Sequence, residues 1–119
     1  MEKHALTVTV ENVDDVPVIR AAGELEIATV PEMRAKVMEV TARRPRAILF
    51  DFRRLSYLDS SGLGILVSAR KRLAVHEGEV VIITTQSAVL KALSLSGLDQ
   101  IMRIYASEEE YFGNVMVVR

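Results

Sequence analysis

The apolar and polar positions of the chain fall into segments of two periods. Residues 5–11 (ALTVTVE) alternate, the signature of a half-buried strand, and residues 16–22 (VPVIRAA) are rich in β-branched side chains. A turn over Asn12 to Asp15 joins them. Thr29 and Glu32 then have capping-box spacing with Pro31 in the first turn, and Val30, Met33, Val37 and Val40 keep helical spacing until Arg43-Arg44-Pro45. Residues 47–50 (AILF) form a continuous apolar run closing on Asp51, as in a strand buried on both faces. After a connection over Arg53 to Tyr57, a second helix is expected from Ser60, with Leu63, Leu66, Val67 and Leu73 inward and Arg70, Lys71 and Arg72 at its end. Residues 79–84 (EVVIIT) read as another buried strand, 87–95 as a short helix stopped by Gly97, and 101–105 as a last strand. Ser107 and Glu110 open a final helix with a second capping box.

The order β-β-α-β-α-β-α-β-α predicts one α/β domain over residues 1–119. Its sheet of four to five strands is mostly parallel, with an antiparallel edge strand from the opening β-β pair and about four helices. In such sheets function gathers at the carboxyl ends of strands, beside the following helix N-termini. Glu24 and Glu26 after the second strand, Asp51, and Asp59-Ser60 are therefore expected to converge on one rim.

Charge and composition remove several classes of function. With 15 basic and 16 acidic residues, no cationic excess exists to neutralise a nucleic-acid backbone. The chain has no cysteine, and His4 and His76 are too few and too poorly spaced for a histidine metal site. Residues 1–4 (MEKH) lack a charged n-region followed by a long apolar h-region, so no signal peptide is expected, and no apolar run approaches a membrane span. A cytoplasmic protein without membrane or nucleic-acid partners is expected, and a monomer.

Ser60 carries the chemistry worth weighing. As a helix N-cap its hydroxyl would accept a bond from a backbone N–H two or three residues on, the usual reason for a serine ahead of an apolar helix. The same terminus also tolerates a phosphoserine, with Gly62 leaving room for another protein's backbone and Asp59 adding repulsion. Spacing leaves both readings open. A nucleophilic serine fails for want of a base: no G-x-S-x-G elbow exists, His4 sits on the N-terminal tail, and His76 is expected roughly 20 Å away at the far end of the helix. Asp51 reads most simply as a carboxylate bonded to turn amides, and Glu24 and Glu26 as solvated charges. Ser96-Gly97-Leu98 reads as a helix C-terminus; Leu95 and Leu98 fit a core, while Leu98 and Met102, if exposed, would suit a partner surface.

Three stretches together resemble the bacterial anti-sigma factor antagonists of the STAS domain family. They are Ala22-Gly23-Glu24-Leu25-Glu26, Ile48-Leu49-Phe50-Asp51-Phe52 followed by Leu58-Asp59-Ser60-Ser61-Gly62-Leu63-Gly64, and Leu95-Ser96-Gly97-Leu98. The D-S-S-G-L-G block is the specific one, and the resemblance spans nearly the whole chain. It implies a protein that catalyses nothing and needs no cofactor. Its unphosphorylated form would bind an anti-sigma factor that is also a serine kinase and so release the sigma factor. That kinase, which binds the ATP, would phosphorylate Ser60, with Ser61 a secondary site, and a PP2C-type phosphatase would reset the switch. The implied partner-binding residues are Glu24, Glu26, Asp51, Asp59, Ser60, Ser61, Gly62, Leu63, Ser96, Gly97 and Leu98. Family members commonly carry aspartate where this chain has Glu26, whose reach is one methylene longer. The alternative use of such a module is as a structural or regulatory subunit of a transporter or signalling assembly.

Overall fold

A computed structural model describes residues 5–118; His4 and the rest of residues 1–4 lie outside it, as does residue 119. The elements are β1 (Leu6–Val13), β2 (Val16–Leu25), α1 (Val30–Thr41), β3 (Ala47–Leu58), α2 (Ser60–Ala74), β4 (Glu79–Ile83), α3 (Ser87–Leu95), a 3₁₀ turn (Leu98–Gln100), β5 (Arg103–Tyr105) and α4 (Glu108–Val118). They build a five-stranded sheet in the order β1-β2-β3-β4-β5. β1 and β2 are antiparallel, and every later neighbour is parallel. Asp14 and Asp15, at φ 52° and 66°, form the two-residue link between Val13 and Val16. Two successive left-handed residues make a type I′ turn, whose twist matches that of the strands.

Each parallel crossover steps one strand further along the sheet, and right-handed crossovers taken in one direction leave their helices on one face. That face holds the main core, with Ile48, Phe50 and Phe52 of β3 under Met33 and Val37 of α1, Leu66 and Leu73 of α2, and Val89 and Leu93 of α3. The alternate residues Val16, Val18, Ala47, Leu49, Val81 and Ile83 point to the other face, where Tyr111 of α4 covers them.

β3 departs most from expectation. It does not close on Asp51 but runs on to Leu58, through residues 53–57 that read as a connection. Asp51 shares the α4 face with Ala47 and Leu49, and is only 7% exposed. Its Oδ2 accepts hydrogen bonds from Arg20 (2.8 Å) and Arg53 (3.0 Å), and its Oδ1 accepts from the Arg53 backbone and Nε. Both arginines also pair with Glu108 in the first turn of α4, and Arg20 with Glu11. Burial alone would push the Asp51 carboxyl up, but bonds from Arg53 and Arg20 together hold it below the usual carboxylate range. Asp51 thus helps fasten α4 to the sheet.

The capping expectations split. Ser107 accepts from Glu110 N (3.1 Å) while Glu110 reaches back to the N–H of Ala106, close to the expected box. Thr29 precedes α1 without a side-chain cap. Its hydroxyl donates instead to the Glu24 carbonyl (2.7 Å) and accepts from Glu26 N (3.0 Å), pinning the loop after β2.

Candidate functional site

Glu24 pairs with Tyr57 and Leu25 with Leu58, so β2 and β3 end side by side at the edge where α2 starts. Asp59, not Ser60, is the N-cap of α2. Its backbone is extended, and its Oδ1 accepts from Ser61 N (2.9 Å) and Gly62 N (3.2 Å). The other carboxylate oxygen accepts from Ile27 N (3.2 Å) and its own N–H donates to the Leu25 carbonyl. One aspartate therefore caps the helix and ties it to the loop between β2 and α1. The cap falls on Asp59 because β3 stays extended through Leu58, leaving Asp59 as the half-helical residue.

Ser60 becomes the first helical residue, exposed, and among the described residues no hydrogen bond holds its hydroxyl. No base touches it, and His76 lies beyond the opposite end of α2, a helix of about 22 Å at 1.5 Å per residue. Asp59 already occupies the Ser61 and Gly62 amides, so a phosphate on Ser60 would not find those donors free. It would stand on the surface beside a carboxylate.

Glu24, Glu26, Tyr57 and Asp59 line a cavity of about 320 Å³ next to Ser60. Ile27 and Tyr57 are exposed beside it, at 71% and 49%. Glu26 is largely buried, and its longer side chain folds back so that Oε1 accepts from Ala28 N (3.1 Å). Three carboxylates at one rim leave a surface suited to a cationic, partly apolar partner.

Other members of the expected set are placed elsewhere. Asp51 sits on the α4 face in its ion cluster and does not join the rim. Gly62 is buried and faces inward: a Cβ there would lie 2.4 Å from Leu58 Cδ1 and 2.9 Å from Leu25 Cγ. It admits core side chains, not a partner's backbone. Leu63 is half-buried against the core and Ser61 half-buried. Gly97 takes the expected left-handed conformation at φ 79°, and Ser96 and Gly97 are exposed, but Leu98 and Met102 are buried in the core. Leu95, which fitted a core, is 78% exposed. Among the described residues no hydrogen bond connects the 96–98 segment to the Ser60 loop. Ile27 and Tyr57 were missed from sequence, because an apolar residue in a loop and a tyrosine near a strand end give no signal of exposure.

Among the described residues no three His, Cys, Asp or Glu side chains are grouped so as to hold a metal ion, and no helix is long and apolar enough to cross a membrane.

Comparison with known proteins agrees with the fold. The anti-sigma F factor antagonist of Paenibacillus polymyxa is 31% identical over 114 residues, covering 95% of this chain and 97% of that protein. An anti-sigma factor antagonist from Mycobacterium paratuberculosis superposes with a TM-score of 0.88 at 26% identity, covering 97% of both chains. SpoIIAA, an anti-sigma factor antagonist and Bacillus cell fate determinant, is 31% identical over 92% of this chain. It superposes with TM-scores of 0.80 in its unphosphorylated form, over 96% of that chain, and 0.72 in its phosphorylated form, over 99%. The STAS domain model matches residues 7–111, which hold the sheet and helices α1 to α3. The chain belongs to the STAS domain family.

Proposed function

We propose that this chain is an anti-sigma factor antagonist whose unphosphorylated form binds an anti-sigma factor serine kinase and frees the sigma factor, and whose phosphorylation on Ser60 abolishes that binding. The observation that carries the reading is the exposed, untied Ser60 hydroxyl on the first turn of α2, beside a rim of Glu24, Glu26 and Asp59. The names of its relatives point the same way. A phosphoserine carries a charge of about −2. With Asp59 holding the nearest amides, that charge faces outward, where a docked kinase must desolvate it. The chain supplies no chemistry of its own: the kinase brings ATP, and a PP2C-type phosphatase in the same cytoplasm returns the serine to its binding state. Glu24, Asp59, Ser60 and Ser61 form the contact surface in this reading, and Glu26 shapes the loop beneath it.

Incubation with ATP and the anti-sigma factor kinase encoded in the same genome should place phosphate on Ser60, and none on Ser60→Ala. Ser60→Asp should weaken kinase binding by about 2 kcal/mol or more, roughly thirtyfold. Equal kinase affinity of wild type and Ser60→Asp would refute the switch.

A further inference from the structure

At the opposite end of α2 from Ser60, the C-terminal ends of α1 and α2 border an open cleft of about 330 Å³, lined by Met38, Ala42, Arg44, Arg72, Val75 and His76 among others. Met38 and Val75 stand 45% and 76% exposed at its mouth. Arg44 and Arg72 are exposed, and among the described residues no side-chain hydrogen bond or ion pair holds either guanidinium. Their neighbours are cationic too: Arg43 and Arg46 flank Arg44, and Arg70 and Lys71 precede Arg72. Glu39, the carboxylate near the C-terminus of α1, is shared by Lys36 and Arg43. Arg44 also holds the left-handed conformation after α1, at φ 54°, a position where glycine is the favoured residue.

We infer that this end of the molecule is a docking site for an acidic segment of a partner protein, one that offers an apolar side chain between carboxylates. Met38 and Val75 provide a concave apolar seat for a single side chain. Arg44 and Arg72 provide cations beside it with no internal partner to displace. An acidic peptide can seat an apolar side chain on Met38 and Val75 while its carboxylates meet Arg44 and Arg72, whereas a bare phosphate ion has nothing to place on the apolar seat. The concave shape likewise favours an inserted side chain over a flat anionic membrane. This site is separate from Ser60, so a protein held here leaves the rim at the other end of α2 open.

The test is selection from a phage-displayed random-peptide library on the folded chain, followed by polarisation binding of the enriched peptide. Peptides rich in Asp and Glu around an apolar residue are expected, with affinity falling at least tenfold on Arg72→Glu and with added salt, and unchanged on Ser60→Asp. Arg44→Gly should separate structure from recognition: its melting temperature should rise as the left-handed strain is relieved, while peptide binding falls. The inference is overturned by failure to enrich any peptide, by equal binding to Arg72→Glu, or by binding only to phosphatidylserine vesicles or inorganic phosphate.

Discussion

Gly62 and Gly64 lie two positions apart on α2 and meet opposite surroundings. A Cβ at Gly62 would drive into Leu58 and Leu25, both core residues, whereas nothing lies within 4 Å of one at Gly64. Gly62→Ala should therefore cost about 1–3 kcal/mol through overpacking. Gly64→Ala should gain about 0.5–1 kcal/mol, because alanine loses less backbone entropy in a helix. Urea unfolding of both variants checks the pair, and shifts of the same sign would contradict this packing. The D-S-S-G-L-G block was legible as a motif, but the part played by each residue was not. Gly62 keeps helical spacing with Leu66, Ala69 and Leu73, so its inward phase was written in the sequence. Its reading as a gap for a partner followed from the motif and ignored that phase. The cap was misassigned because Asp and Ser cap equally well, and the choice turns on where β3 ends.

That ending was hidden by charge. After the apolar run of residues 47–50, the stretch from Asp51 to Tyr57 carries an aspartate and two arginines and looks like a loop. It stays in the sheet because β2 pairs with it as far as Leu58, and because Arg20 and Glu108 neutralise the groups it turns toward α4. Partners that lie 31 and 57 residues away in sequence from Asp51 are invisible to local pattern. The cluster also makes stability depend on pH. Asp51 titrates below its ordinary range in the folded chain, so the folded state holds fewer protons there than the unfolded chain does at mildly acid pH. The stabilisation is complete above the unfolded value of about 4 and is lost as pH falls through the lower folded value. The stability gap between wild type and Asp51→Asn should be widest near neutrality and close below about pH 4. Denaturant titrations across that range measure it, and a gap independent of pH would mean the carboxylate charge does not hold α4.

A net charge of −1 conceals a molecule with two unlike ends. Glu24, Glu26 and Asp59 gather where α2 begins; Arg44 and Arg72 gather where α1 and α2 finish. The element order and the antiparallel edge were legible because periodicity and crossover rules are local or general. The acidic rim was legible in the same way, but the meeting of Arg44 with Arg72 was not, since it arises only when parallel crossovers set both helices running the same way. The polarity bears on what the proposed phosphate at Ser60 would do to the fold. The new charge adds to the acidic end and is repelled by Asp59, yet it also sits at the positive end of the α2 macrodipole, worth about 0.3–1 kcal/mol in the opposite sense. Ser60 is exposed and supports no neighbour, so the two effects act on a site whose replacement costs little. Phosphorylated protein and Ser60→Asp should then unfold within about 0.5 kcal/mol of wild type at 0.15 M salt, where the Debye length is about 8 Å. Any difference should grow as salt is lowered, because the screened terms are the only ones that change. A loss of several kcal/mol, or a loss insensitive to salt, would mean the phosphate breaks the Asp59 cap. The switch would then act by loosening α2 and not by presenting charge to a partner.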